Sequence, residues 1–250
     1  MLLSVLYLCL GLNMLMFIPA YFFRTDKLTD ISYALSFIVS LLIIMPWSQL
    51  QLPVTILVVM IALWAGRLGA YLLIRIHKMK KDSRFDVMRQ HPWQFVRFWL
   101  LQGLTVWIVL MPSIYFISIN PAQMSTLTYF GLALFLLGLL IEAVADYQKY
   151  VFINQPSNQG QWIATGLWKY SRHPNYLGEI IVWIGVYLYC FTNLTPIIQI
   201  IGLISPLYIA SLIIFVSGIP LLEKSADARW GNNPQYQSYK NNTGVLLPKV

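Results

Sequence analysis

Hydrophobic positions in this chain come in long unbroken blocks rather than in alternation or as one narrow helical stripe. A bilayer core of about 30 Å takes about 20 apolar residues per helix. Runs approaching that length cover residues 1–23, 31–47, 52–74, 93–117, 125–147, 175–194 and 196–222. The pattern predicts an all-α fold, a polytopic membrane bundle of about seven transmembrane helices. No basic residue precedes the first run and no small-residue cleavage site follows Phe17, so it is expected to stay in place as a helix rather than act as a signal peptide. The sixth run is short and carries Glu179. A helix that enters from one side and stays partly buried in protein is the other reading of it.

Polar positions between the runs are distributed unevenly. Arg24 and Lys27 follow the first run. Arg75, Lys78, Lys80, Lys81, Arg84 and Arg89 follow the third, and Lys149, Lys169 and Arg172 follow the fifth. The tail adds four more basic residues, whereas the connections after runs two, four and six have none. Basic loops stay in the cytoplasm, so the N-terminus is expected outside and the C-terminus inside. The reading is of a single integral membrane domain over 1–250, with 223–250 a cytoplasmic tail that packs on a site at that face.

Composition changes the picture mainly by exclusion. At 58% hydrophobic and 10% charged, the chain is too apolar for a soluble core or for disorder. The formal charge of +8 is explained by loop topology, so no nucleic-acid partner is expected. Cys9 and Cys190 sit inside apolar runs and read as packing residues. His77, His91 and His173 lack ligand spacing, so no metal site is expected.

Ionisable residues at membrane depth carry the candidate chemistry. Arg67 lies about 12 Å below the cytoplasmic surface at 1.5 Å per residue. Arg97 and Gln102 enter the fourth helix from the same side. Glu142 and Asp146, four apart, share a face of the fifth, while Glu179 lies one turn into the sixth and Glu223 closes the seventh. Unpaired charge at such depth is costly, so these groups are expected to face one another or a wet cavity. Structural ion pairing, for example Arg67 with Glu142, accounts for the cluster without chemistry and stays open as a reading.

The segment from Gly166 to Glu179 is the richest. Pro174 suits a first helical position. Free N–H groups there, with Arg172 and His173 beside them, suit an anion such as phosphate. Asn175, Glu179 and Trp183 recur every four residues and present an amide, a carboxylate and an aromatic plane, which suit a heterocycle or a ribose. A basic cap with an aromatic belt at the membrane interface is the alternative.

This segment, with Ser171-Arg-His-Pro-Asn-Tyr176 at its centre, resembles the signature of bacterial membrane proteins related to the steroid 5-alpha-reductases. Trp64-Ala-Gly-Arg67 with Arg75, Lys81-Asp82-Ser-Arg84-Phe85, Gln102 followed by Pro112, Glu142-x-x-x-Asp146, Ser217-Gly-Ile-Pro220-Leu-Leu-Glu223 and Tyr236-x-x-Tyr239-x-x-x-Thr243 are similar to further motifs of that family. The resemblance implies a bacterial inner-membrane protein that holds NADPH in the cytoplasmic half of a seven-helix bundle and passes hydride to an activated double bond of a lipid. The candidate cofactor-binding set is Arg67, Arg84, Glu142, Asp146, Arg172, His173, Asn175, Tyr176, Glu179, Trp183 and Glu223.

Hydride addition to an enone needs a donor aimed at the carbonyl oxygen. The steroid reductases use a tyrosine three residues before the third-helix arginine together with a second-helix acid. Here the first position is Trp64 and residues 31–47 contain no acid. Tyr33, Tyr71 and Tyr176 are the candidate replacements. The runner-up reading is a membrane methyltransferase using S-adenosylmethionine, because isoprenylcysteine and phospholipid methyltransferases resemble the same Arg-His-Pro segment and tail. A binding or transport protein without chemistry is the third.

Overall fold

The computed structural model describes residues 1–25, 27–79 and 91–249, with the side chains of 27, 47 and 75–79 outside the description. The described residues form helices and no strand; one isolated parallel bridge joins Ser171 to Gly244. In chain order the helices are α1 (Leu2–Phe22), α2 (Lys27–Ile44), α3 (Leu52–Met79), α4 (Pro92–Ile119), α5 (Thr126–Asn154), α6 (Pro174–Phe191), α7 (Pro196–Gly202), α8 (Ile204–Ser211), α9 (Ile219–Trp230) and α10 (Pro234–Asn242).

Among the described residues, five stretches are long and apolar enough to cross a bilayer: Leu2–Phe22, Leu52–Ile74, Pro92–Ile119, Thr126–Asn154 and Pro196–Trp230. These are the helices of a multi-pass integral membrane protein. The runs expected at 31–47 and 175–194 fold as α2 and α6, which are not among those five.

Boundaries differ from the apolar runs where helix continues through polar sequence. α2 starts at Lys27 and takes Asp30 into its first turn, four residues before the apolar run begins. The last run does not make one straight helix. α7 ends at Gly202, four residues before Pro206, which has no N–H to continue an i→i−4 ladder. A π-helical turn over Leu212–Val216 then precedes the start of α9, with Pro220 in its first turn.

The chain forms two compact units. One comprises Met1–Thr128 with Tyr189–Ser205, the other Tyr129–Leu188 with Pro206–Val250. In the first, α1 packs on α2 and α4, and α2 packs on α3. Gln102 of α4 lies at the centre of a polar network: its amide Nε2 donates to Asn13 Oδ1 at 2.8 Å, to Ser32 Oγ at 3.0 Å and to the Thr29 carbonyl at 3.1 Å. Asn13 in turn donates to Ser36 Oγ and to the Cys9 carbonyl. Hydrogen bonds of this kind fix helix register where lipid offers no competing partner. Asn120 adopts a left-handed backbone after α4 (φ 49), and its amide donates to the Gln49 carbonyl and accepts from the Gln51 N–H.

In the second unit α5 and α6 meet through glycine. A Cβ on Gly178 would lie 2.7 Å from the backbone nitrogen of Glu142 and 2.7 Å from the Gly138 carbonyl oxygen, and one on Gly138 would lie 2.7 Å from the nitrogen of Val182. Small residues let the two backbones touch, the usual route to tight helix packing when burial in lipid gives no hydrophobic gain. Glu142 and Asp146 are consequently buried, at 3% and 5% exposure.

Candidate functional site

The site is built around the segment between α5 and α6. Gly166 turns the chain with φ +60, and the Leu167 N–H donates to Gln148 Oε1 of α5 at 2.9 Å. Trp168 is buried, donates from its indole to the Ala145 carbonyl at 3.1 Å, and lies under Lys149 Nζ at 5.0 Å. These contacts hold residues 166–169 on the face of α5.

The C-terminal tail is stitched along the next residues. The Arg172 N–H donates to the Gly244 carbonyl at 2.9 Å and the His173 N–H to the Val245 carbonyl at 3.2 Å. Tyr239 donates its hydroxyl to the Trp168 carbonyl at 2.7 Å. Burial pushes that phenol up to about 12, so it remains a donor throughout the physiological range. The backbone N–H groups of Arg172 and His173 are therefore taken by the tail, whereas the free N–H groups expected for an anion are those of the first turn of α6, which these two residues precede.

Three candidate residues converge here. Arg172 Nε donates to Glu223 Oε1 at 3.1 Å and its Nη1 donates to the carbonyls of Lys240 (2.6 Å) and Thr243 (3.2 Å). His173 Nε2 lies 2.8 Å from the same Glu223 oxygen. Lys240 Nζ reaches Glu223 Oε2 at 3.4 Å and Asp227 Oδ1 at 2.6 Å. Burial lowers the His173 pKa below its ordinary value, with the Glu223 hydrogen bond opposing the shift only in part. Burial thus favours the neutral ring, and the carboxylate at Nε2 favours the tautomer that carries its proton there. Nδ1 is shut off from solvent and has no hydrogen-bond partner. Tyr176 stacks on the ring at 5.8 Å and fixes its plane.

A cavity of about 720 Å³ opens beside this cluster, lined by Lys149, Phe152, Trp162, Trp168, Arg172, His173, Glu223, Arg229, Trp230, Tyr236 and Tyr239 among others. Trp162 meets Tyr236 edge-on at 5.2 Å and Trp230 at 6.1 Å, and Trp230 donates its indole N–H to the Gly160 carbonyl at 2.6 Å. Flat apolar rings together with cationic side chains suit a ligand that combines an aromatic heterocycle with anionic groups.

Of the remaining candidates, Asn175, Glu142, Glu179 and Trp183 stand elsewhere in the same unit. Asn175 donates to Asp146 Oδ1 at 3.2 Å, which orients the amide and leaves Asn175 Oδ1 buried without a hydrogen bond. Glu142 lies against Gly178, Glu179 is half-buried on α6, and Trp183 is fully buried. In the first unit, Arg67 and Tyr71 are half-buried on α3. Tyr33 meets Phe37 edge-on at 5.1 Å and Trp64 at 6.5 Å. Asp30, three residues before Tyr33, lies in the first turn of α2, just outside the apolar run at 31–47. Arg84 lies outside the described residues. Lys149, Trp162, Arg229 and Trp230 line the cavity without having been singled out from the sequence. Their signal is faint: tryptophans in polar stretches, where an indole needs a folded partner to be sheltered.

A family model described as "Protein of unknown function (DUF1295)" matches residues 16–243. Uncharacterized protein C594.04c of Schizosaccharomyces pombe is 23% identical over 176 residues, which is 60% of this chain and 48% of the yeast protein. The chain thus spans about half the length of that curated relative. No solved structure matches.

Proposed function

The chain belongs to the DUF1295 family of proteins of unknown function, and from that premise we propose that it is a membrane-embedded reductase that binds NADPH and reduces an activated carbon–carbon double bond of a lipid. The proposed topology has seven spans, the N-terminus outside, and the cavity facing the cytoplasm where the cofactor is made available. The basic connections after the first, third and fifth runs and the uncharged ones between them support that orientation.

The observation that carries the reading is the lining of the cavity. Lys149, Arg172 and Arg229 stand against one carboxylate, Glu223, beside the rings of Trp162, Trp230 and Tyr236. A surplus of positive charge favours a phosphorylated dinucleotide. It disfavours S-adenosylmethionine, whose sulfonium adds another cation. Bound NADPH supplies the hydride, and a proton from an acid of the chain or from water completes the saturated bond. Of the three candidate proton donors, Tyr176 belongs to the unit that holds the cavity.

Fluorescence titration of the purified protein in detergent tests the reading. NADPH should bind with a preference over NADH, S-adenosylmethionine should leave the melting temperature unmoved, and a lipid enone should oxidise NADPH. Stabilisation by S-adenosylmethionine with none by NADPH replaces the reductase with the methyltransferase.

A further inference from the structure

Between α5 and the turn at Gly166 the chain folds on itself rather than on its surroundings. Pro156 disfavours helix at the residue before it, so α5 stops at Asn154 and Gln155 is extended. The turn at Pro156–Asn158 that follows is tied locally. The Asn158 amide donates to Gln155 Oε1 at 2.9 Å and to the Phe152 carbonyl at 3.1 Å, and the Gln161 amide donates to the Ser157 carbonyl at 3.0 Å. Among the described residues, one hydrogen bond ties residues 155–165 to a distant part of the chain, from the Trp230 indole to the Gly160 carbonyl at 2.6 Å. Residues 166–173, by contrast, are held by α5 through Gln148 and Ala145 and by the tail through Gly244 and Val245.

This lightly attached loop is one wall of the cavity. Residues 158–163 line it, as do Leu222, Ala226 and Trp230, spaced four apart on one face of α9. The two walls meet where the Trp162 ring touches those of Trp230 and Tyr236, and Tyr236 is left only 3% exposed. The local stability of a segment follows the attachments it makes outside itself. A loop that carries its own hydrogen bonds and one distant one opens as a unit at small cost, while its neighbours stay in place.

We propose that residues 155–165 are a lid on the cavity, that Trp230 is its latch, and that ligand enters and leaves when the latch parts. The proposal rests on the cofactor reading only for the identity of the ligand. Closure over bound cofactor would shelter its reactive ring from water.

The latch can be weakened from either side. Trp230→Phe removes the indole N–H and keeps a ring for Trp162 and Tyr236. Gly160 stands at φ +77 with open space where a Cβ would go, so Gly160→Ala strains the closed backbone without a clash. Each should raise the open fraction about fivefold, the worth of one hydrogen bond or one strained residue.

Cysteine labelling of the full chain in detergent measures that fraction. Ala226→Cys puts a thiol in the cavity, and Ala228→Cys puts one on the same helix, exposed and outside the cavity lining. The native Cys9 and Cys190 are fully buried. A charged methanethiosulfonate should label A226C slowly, and about fivefold faster once W230F or G160A is added. It should label A228C at one rate throughout, and NADPH should slow the labelling of A226C. Equal A226C rates in all three backgrounds overturn the lid, as do A226C and A228C rates that rise together. A selective rise at A226C without protection by NADPH leaves the lid standing and counts against the cofactor reading. Protection by NADPH with no effect of either latch variant does the reverse.

Discussion

Glu223 Oε1 sits 2.8 Å from His173 Nε2 and 3.1 Å from Arg172 Nε. One carboxylate oxygen on α9 therefore holds two adjacent residues at the entrance to α6, and the tail that follows α9 is bound back onto the same two residues. The second unit owes the geometry of its cavity wall to this junction.

Removing the carboxylate should cost both stability and ligand binding. Glu223→Ala leaves Arg172, 11% exposed, without its charged partner. Loss of one member of a buried pair is strongly destabilising, and partial exposure of Glu223 at 18% moderates it to about 2 kcal/mol. Glu223→Gln retains an acceptor and should lose about half of that. Thermal unfolding in detergent, with Lys240→Ala as the comparison for the outer ion pair, measures the difference.

Stability should respond to pH through His173. Its folded pKa lies below the ordinary 6.5 because of burial. A group of that sign contributes stability above its unfolded pKa and loses it as pH falls toward the folded value. The wild-type melting temperature should therefore drop as pH is lowered below about 6.5, with a smaller drop in H173Q. A wild-type protein that melts higher in that range would mean that the imidazolium, not the neutral ring, is the favoured form.

The contact of α5 with α6 should not tolerate bulk. Gly178→Ala places a methyl against the Glu142 nitrogen and the Gly138 carbonyl, neither of which can move without shifting a helix. The helices must part, at a cost of about 1–3 kcal/mol, and Glu142 and Asp146 lose their shelter. Gly11→Ala on α1, where a Cβ meets nothing within 4 Å, should leave the melting temperature unchanged and is the matched control.

Gln102→Leu should loosen the first unit. The two N–H donors that serve three acceptors on α1 and α2 vanish, and Asn13 Oδ1 and Ser32 Oγ lose a partner. Interhelical hydrogen bonds in bilayers are worth about 0.6 kcal/mol each and up to about 1.7, so a loss of about 1–2 kcal/mol is expected. Gln102→Glu should be worse, because it removes the same N–H donors and in addition sets a carboxylate against those acceptor oxygens.

Helix positions were legible in the sequence because the bilayer imposes a length and an apolar composition on anything that crosses it. α1, α4 and the apolar part of α3 begin and end close to the limits of their hydrophobic runs. Where helix continues into polar sequence the pattern was silent, so Lys27–Asp30 of α2 and the last two turns of α5 were missed. The division of the last run at Pro206 and Pro220 was written in the sequence, but hydropathy is blind to a missing N–H. Arg172, His173 and Glu223 were singled out by residue chemistry, and the structure unites them. Their partners could not be read: the carbonyls of Lys240, Thr243, Gly244 and Val245 come from a tail some 70 residues away, and backbone carbonyls carry no residue code.

By itself the sequence determined that this chain crosses a membrane as helices and which few ionisable side chains its apolar segments carry, since each is a property of a residue type and its immediate neighbours. Which of those charges are already satisfied was decided by tertiary structure alone. A guanidinium can neutralise a ligand or fasten a tail, and an imidazole can donate or accept. The choice depends on what the fold brings within about 3 Å, where desolvation makes an unpaired group costly and a paired one silent.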